Sequence, residues 1–289
     1  MKLIESKAEY IPQEEGLESI YNQIELAGRT AYHSLDKITP TSAKDFVDRM
    51  IKSKHGAALE HGTVYLYCKS IGAEKNAWFS DNPYSKVVSV LSDTEKGMNG
   101  QPVYHQYITT NYRVIEELKC PRQLQLICSP TEFHEKRYTM RFICSRAIAQ
   151  ELTRHRTFSF LMESQRYINY SKERHGGEIT FIIPSWLKEV SYDIEEKYIE
   201  SLSQAEDNYL WILHWLQPQQ ARDVLPNATK TELIMTGFSS DWRYLMDLRL
   251  FGKTGAPHPD MINLMQKARK AMQEAGIWED VMSKPSKFD

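Results

Sequence analysis

The sequence predicts one domain of mixed helix and strand, α/β in the broad sense and α+β in layout. Three observations carry that expectation. A chain of 289 residues with 41% hydrophobic side chains can bury one large core. Apolar positions recur at helical spacing in some segments and alternate in others. Nothing repeats internally and no low-complexity linker divides residues 1–289. The turn-rich stretch at about 70–135 therefore reads as an insertion in a single unit rather than a second domain.

The elements follow in order. Residues 14–32 place Leu17, Ile20, Tyr21, Ile24 and Ala27 on one helical face. A second helix is expected over 41–54, begun by Thr41 or Ser42 as its N-cap. From His61 to Lys69, Val64, Leu66 and Cys68 alternate with Tyr65 and Tyr67, as in a half-buried strand. Turns then crowd the chain at Asn82-Pro83, Gly97, Asn99-Gly100 and Cys120-Pro121, with a strand between Gln101 and Arg113. Tyr138–Cys144 reads as a strand, and Ser145–Leu152 opens a helix that delivers Arg154–Arg156 at its C-terminal end. Glu178–Pro184 is a short apolar strand. Ile194–Leu216 carries a long apolar stripe that Pro218 is expected to stop, a face for core or subunit contact. Asp260–Gly276 reads as a terminal helix.

Composition excludes several classes. Lys+Arg 36 against Asp+Glu 38 gives a net charge of −2, so no global field recruits nucleic acid. Cys68, Cys120, Cys128 and Cys144 share no C-x-x-C spacing and lack partnered histidines, which argues against zinc and for reduced, mostly buried thiols in the cytoplasm. No stretch approaches a membrane span, and Met1–Lys7 has no apolar leader core, so no membrane partner is expected. Gly252-Lys253-Thr254 mimics the tail of a P-loop, but Asp247 stands where its first glycine belongs. No G-x-G-x-x-G follows a strand.

Chemistry concentrates in Arg154-His155-Arg156-Thr157-Phe158-Ser159-Phe160-Leu161-Met162-Glu163-Ser164-Gln165-Arg166-Tyr167. Guanidinium groups on either side of a serine suit a phosphate ester, because each offers a planar fork of donors and the hydroxyl adds one more without charge. An Arg-His-Arg triplet alone would suit a solvated helix end equally well.

The whole pattern, Arg-His-Arg, seven residues, then Ser164 with Arg166-Tyr167, resembles the signature of the flavin-dependent thymidylate synthases. His55-Gly56-Ala57-Ala58-Leu59-Glu60-His61, Ala221-Arg222-Asp223-Val224-Leu225-Pro226 and Asp247-Leu248-Arg249 resemble three further segments of that family, in the right order, and His258 falls near a family histidine. The resemblance implies a single-domain fold with a mixed sheet flanked by helices. It implies a methyltransferase forming dTMP from dUMP, with methylenetetrahydrofolate as carbon donor and NADPH-reduced FAD as hydride donor, and no metal. The enzyme would be a homotetramer with active sites between subunits.

By the same resemblance Arg249 is catalytic, a cation at the N3/O4 edge of uracil that stabilises charge developing as C5 becomes nucleophilic. The positions matching dUMP contacts are Glu151, Arg154, Met162, Glu163, Ser164, Gln165, Arg166, Arg222 and Arg249. Those matching FAD contacts are Ala57, Glu60, Arg154, His155, Arg156, Met162, Phe238, Ser239, Ser240, Tyr244 and His258. His155, beside two arginines, is expected to stay neutral at pH 7. Arg222 could instead pair with Asp223 or Glu232. Many family members carry Asn-Glu where this chain has Leu161-Met162, and Ala57, Phe238 and Tyr244 also depart from the family's flavin-contacting side chains, leaving the Ser70–Glu135 segment as a source of replacements. No cysteine has the Pro-Cys-His setting of the flavin-free thymidylate synthases. Two alternatives remain at this stage: a flavoprotein that oxidises NADPH without methyl transfer, and a nucleotide- or RNA-binding protein on the same fold.

Overall fold

A computed structural model describes residues 1–119, 121–166, 168–172 and 177–288. Tyr167 of the signature and Cys120 lie outside the described residues. The elements are β1 (Lys2–Ile4), β2 (Lys7–Ile11), α1 (Leu17–Ala31), α2 (Ser42–Lys52), α3 (Gly56–Leu59), β3 (Thr63–Ile71), β4 (Lys86–Lys96), β5 (Pro102–Asn111), α4 (Tyr112–Glu117), β6 (Arg137–Ser145), α5 (Arg146–Leu152), β7 (Ser159–Met162), β8 (Thr180–Ile182), α6 (Tyr192–Ile212), α7 (Pro218–Ala221), β9 (Lys230–Phe238), α8 (Ser239–Arg249), α9 (Pro259–Glu274) and α10 (Trp278–Ser283).

The central sheet is antiparallel in the order β2-β6-β9-β7. Its spine is β6 against β9, paired over their whole length from Arg137↔Phe238 to Ser145↔Lys230. Strand β9 is buried nearly throughout, so its Leu-Ile-Met run shows no alternation, which is why the sequence reading passes over it. A second antiparallel sheet, β3-β5-β4, is built largely from the 70–135 segment, and a parallel pair joins β1 to β8.

Helix α5 follows β6 without an intervening residue, and α8 follows β9 in the same way. Because β6 and β9 run antiparallel, the two helices start at opposite ends of the pair. The nine-residue strands span roughly 27–30 Å; α5 and α8, of seven and eleven residues, cover about 10 and about 16 Å. Their C-terminal ends meet over the sheet. One apolar cluster under them, including Met140, Phe142, Leu152, Phe158, Met235 and Trp242, seats the site to be described.

Phe79, Ile108, Tyr112 and Ile115, from the 70–135 segment, share a second cluster with Ile20 and Ile24 of α1 and Phe46 of α2. The helix over 41–54 has Thr41 as N-cap, but without a side-chain capping bond; the Ser42 hydroxyl instead donates to Glu25 Oε2 at 2.8 Å. The long stripe ends sooner than expected. Helix α6 stops at Ile212, and Pro218 starts the next short helix at a position where its missing N–H costs nothing. Helix α9 is not the last: Gly276, at φ +71, turns the chain into α10. Among the described cysteines only Cys144 is buried, with Cys68 and Cys128 half-buried; all three are free. Burial pushes the Cys144 thiol up to about 12. No described helix is long and apolar enough to cross a membrane.

Candidate active site

The meeting of α5 and α8 brings three of the expected residues together. Arg249 ends α8; its Nε donates to His155 Nε2 at 3.1 Å and its Nη1 to Glu151 Oε2 at 3.2 Å. The turn that leaves α5 is held by backbone bonds from Arg154 to Glu151, His155 to Leu152 and Phe158 to His155, which point the imidazole back at the guanidinium. A guanidinium can only donate, so Nε2 of His155 accepts and the ring is the neutral Nδ1–H form. Burial, then the charge of Arg249, lowers the His155 pKa to about 4. It is neutral at pH 7, as the sequence suggests, but for a different leading reason. The Arg249 side chain keeps a quarter of its surface open, and three of its five N–H groups remain for a ligand.

A second group forms around the start of α8. The buried Arg137 sends Nη1 and Nη2 to the Glu60 carbonyl, each at 3.2 Å, and lies over the Phe238 ring. Burial lowers Arg137 to about 10. Its Nε has no partner among the described residues. Glu60 spends its carboxylate on Arg113 at 2.5 Å. Lys86, from β4, reaches Ser240 Oγ at 2.7 Å, Glu135 at 2.6 Å and the face of Phe238. Ser239 is wholly buried and its hydroxyl has no partner among the described residues.

Glu163 belongs to a third group. It is buried and held by Lys230 Nζ at 2.9 Å, the Glu232 amide at 3.1 Å and His33 Nε2 at 2.7 Å. Burial pushes its carboxyl up, but His33 and Lys230 outweigh that and leave it lowered. Ser164, next to it, lines a cavity of about 660 Å³ with residues 30–37, Ile168 and Glu232. Gln165 is buried and donates to the Tyr170 hydroxyl at 3.4 Å. Arg166 is exposed. Glu232 is taken by Arg141 and Lys230, so it does not hold Arg222; the half-buried Arg222 side chain has no hydrogen bond or ion pair among the described residues, and the exposed Arg154 and Arg156 have none either.

The remaining positions stand apart. Met162 packs half-buried against the main cluster, and Ala57 is exposed on α3. Tyr244 stacks on Phe288, with Lys287 over its face. His258 caps α9, its Nδ1 accepting from the Asp260 amide at 3.1 Å. The hydrogen bonds and ion pairs named above each fall within one of the three groups. Arg137, Lys86 and His33 escape the sequence reading because each is a single polar residue with no local signature. Among the described residues no cluster of His, Cys, Asp or Glu could hold a metal ion.

The family model for the thymidylate synthase complementing protein matches residues 127–275, and the chain belongs to that family. It is 32% identical over 108 residues to the flavin-dependent thymidylate synthase of Pyrococcus furiosus, covering 37% of this chain and 43% of that protein. With the enzyme of the same name from Corynebacterium aurimucosum it is 22% identical over 272 residues, covering 86% and 78%. The chain spans less than half the length of the P. furiosus relative it matches. Among solved structures, a UMP/dUMP methylase from Streptomyces cacaoi bound with 5-Br dUMP covers 98% of this chain and 97% of its own at 15% identity and a TM-score of 0.45, a likeness too low to bear on function.

Proposed function

We propose that the chain is an FAD-dependent thymidylate synthase, a methyltransferase that takes dUMP to dTMP with methylenetetrahydrofolate as carbon donor and NADPH as reductant. The observation that carries this reading is Arg249. Its guanidinium is fixed on one edge by a neutral imidazole and a carboxylate, and its other edge is open. A nucleotide-binding module has no need of a cation oriented in this way away from a phosphate grip. An enzyme that must make uracil C5 electron-rich does, since a fixed donor at the N3/O4 edge stabilises charge appearing only in the transition state.

The donor set also fits an anionic, planar dinucleotide. Arg154 and Arg156 hold their forks in solvent without internal partners among the described residues, Ser240 offers a hydroxyl, and neutral His155 adds no positive charge beside Arg249. The flavin, when bound, supplies the hydride. The protein's own part is to hold Arg249, to grip the dUMP phosphate through Arg222, Ser164 and Arg166, and to keep both rings in register. Glu163 acts from behind, tying β7 to β9 and to the 30–37 segment.

The protein would work in the cytoplasm as a homotetramer with sites between subunits. Separation of the candidate residues into three groups within one chain supports that assembly, as do Tyr192, Trp211 and Trp215, each more than 65% exposed on or just beyond α6. The deciding experiment is the absorption spectrum of the purified protein with and without dUMP, followed by turnover. A flavin spectrum bleached by NADPH, with dTMP formed only when both dUMP and the folate are present, is expected. NADPH oxidation indifferent to dUMP would leave an oxidoreductase, and a protein that stays colourless in excess FAD would end the flavin reading.

A further inference from the structure

Lys86 stands outside the 127–275 stretch that matches the family, on a strand the sequence reading does not pick out. Its ammonium lies 2.6 Å from Glu135 Oε2, 2.7 Å from Ser240 Oγ and 4.6 Å from the centre of the Phe238 ring. Phe238 is itself clamped on by Arg137, whose Cζ is 5.4 Å from the same ring. Thus two of the positions matched to flavin contacts, Phe238 and Ser240, meet one cation delivered from the inserted segment.

We propose that Lys86 is a flavin-binding residue of this chain, and that it holds a phosphate of FAD; the inference rests on the flavin reading above. Position 238 carries a phenyl ring, which has no hydrogen bond to give a phosphate. The ring does hold an ammonium at its face, a cation–π contact that fixes a long, flexible side chain in place. The direct polar contact missing at position 238 is replaced by a cation lodged against it. Of the three donors of Lys86, two are used internally and one remains, with about a third of the side chain (36%) in solvent. An ammonium is a point charge suited to a phosphate oxygen.

Glu135 supports the same reading. Its two oxygens take the Lys86 ammonium and, at 3.1 Å, the Ser240 amide. A side-chain carboxylate thus occupies one ammonium and one backbone N–H, the donor types a phosphate oxygen uses. It competes with the ligand for Lys86 rather than helping to bind it, and this gives the two partners of one ion pair opposite expected effects.

The test is binding, read by flavin fluorescence on flavin-free protein, with FAD and with riboflavin, which has the ring but no phosphate. Lys86→Gln is expected to weaken FAD about tenfold to a hundredfold, the size of one charged hydrogen bond, and to leave riboflavin unchanged. Glu135→Gln is expected to bind FAD as tightly as the parent or more tightly. Lys86→Arg, which keeps the charge and the ion pair, guards against simple misfolding and should retain most of the affinity. FAD bound equally well by Lys86→Gln overturns the proposal. So does an equal loss in Lys86→Gln and Glu135→Gln for both ligands, which would make the pair a structural clasp. A parent protein that binds neither flavin overturns the flavin reading itself, a separate result from either.

Discussion

Replacing Arg249 with lysine separates a catalytic cation from a merely structural one. The change keeps the positive charge and removes the fork. Two directed bonds are lost, Nε to His155 at 3.1 Å and Nη1 to Glu151 at 3.2 Å, together with the three N–H groups on the open edge. With the guanidinium a quarter exposed and Glu151 a third exposed, the two internal bonds are worth at most about 1 kcal/mol each. That translates into a melting temperature lower by a few degrees at most. The catalytic loss should be far larger, about 10²–10³ in rate, as for removal of one oriented donor at a developing charge. Binding of dUMP should weaken less, since the proposed phosphate grip lies elsewhere, on Arg222, Ser164 and Arg166. The measurements are dTMP formation at saturating dUMP, a dUMP titration followed by flavin absorbance, and thermal denaturation. Normal turnover at saturation would remove Arg249 from the chemistry. A collapse in stability equal to the loss of rate would make it a structural residue.

The other predictions are simpler. Arg222→Ala should weaken dUMP about tenfold to a hundredfold while flavin stays bound, because this guanidinium has no internal ion pair to lose among the described residues; unchanged dUMP affinity would place the phosphate elsewhere. Stability should fall as pH drops below about 6.5. Native His155 and His61, lowered to about 4 and about 3 chiefly by burial, refuse protons that the unfolded chain accepts, and His134 is pushed the same way. Each contributes up to about 1.4 kcal/mol per pH unit until its native pKa is reached, and denaturant midpoints that stay flat from pH 7 to 5 would contradict this. Gly237→Ala should cost about 1–3 kcal/mol, since a Cβ there would lie 2.4 Å from the Phe158 ring, which packs edge-on to Trp242. Part of that loss should return when Phe158→Leu is added, and a fully stable single variant would show that the ring can yield.

What the sequence reveals and what it hides divide along physical lines. Strand β3 is legible because Val64 and Leu66 face a core while Tyr65 and Tyr67 do not. Strand β9 is not, because burial on both faces erases the alternation. The candidate residues Glu151, His155 and Arg249 are each nameable from motifs, yet Arg249 lies 94 residues from His155 and nothing local says that one holds the other. Lys86 is further from view. It meets Ser240 only when β4 carries it to the first turn of α8, a pairing across 154 residues. Glu163 sits inside the signature, and its burial with Lys230 and His33 becomes visible only once β7 lies beside β9.

The head-on meeting of α5 and α8 makes the site sensitive to chain length in a selective way. Both helices are anchored at opposite ends of the β6–β9 pair with no slack residue between strand and helix. One residue added inside α8 would carry Arg249 about 1.5 Å further and rotate it by about 100°, off His155 and Glu151 together. A residue added to α5 would turn the same pair away from Arg249. The Gly97–Gly100 turn between β4 and β5, largely exposed and joining two strands of the other sheet, has no such constraint. Variation by insertion and deletion should therefore be tolerated at that hairpin tip and forbidden in two short helices, although all three are equally ordinary stretches of polypeptide.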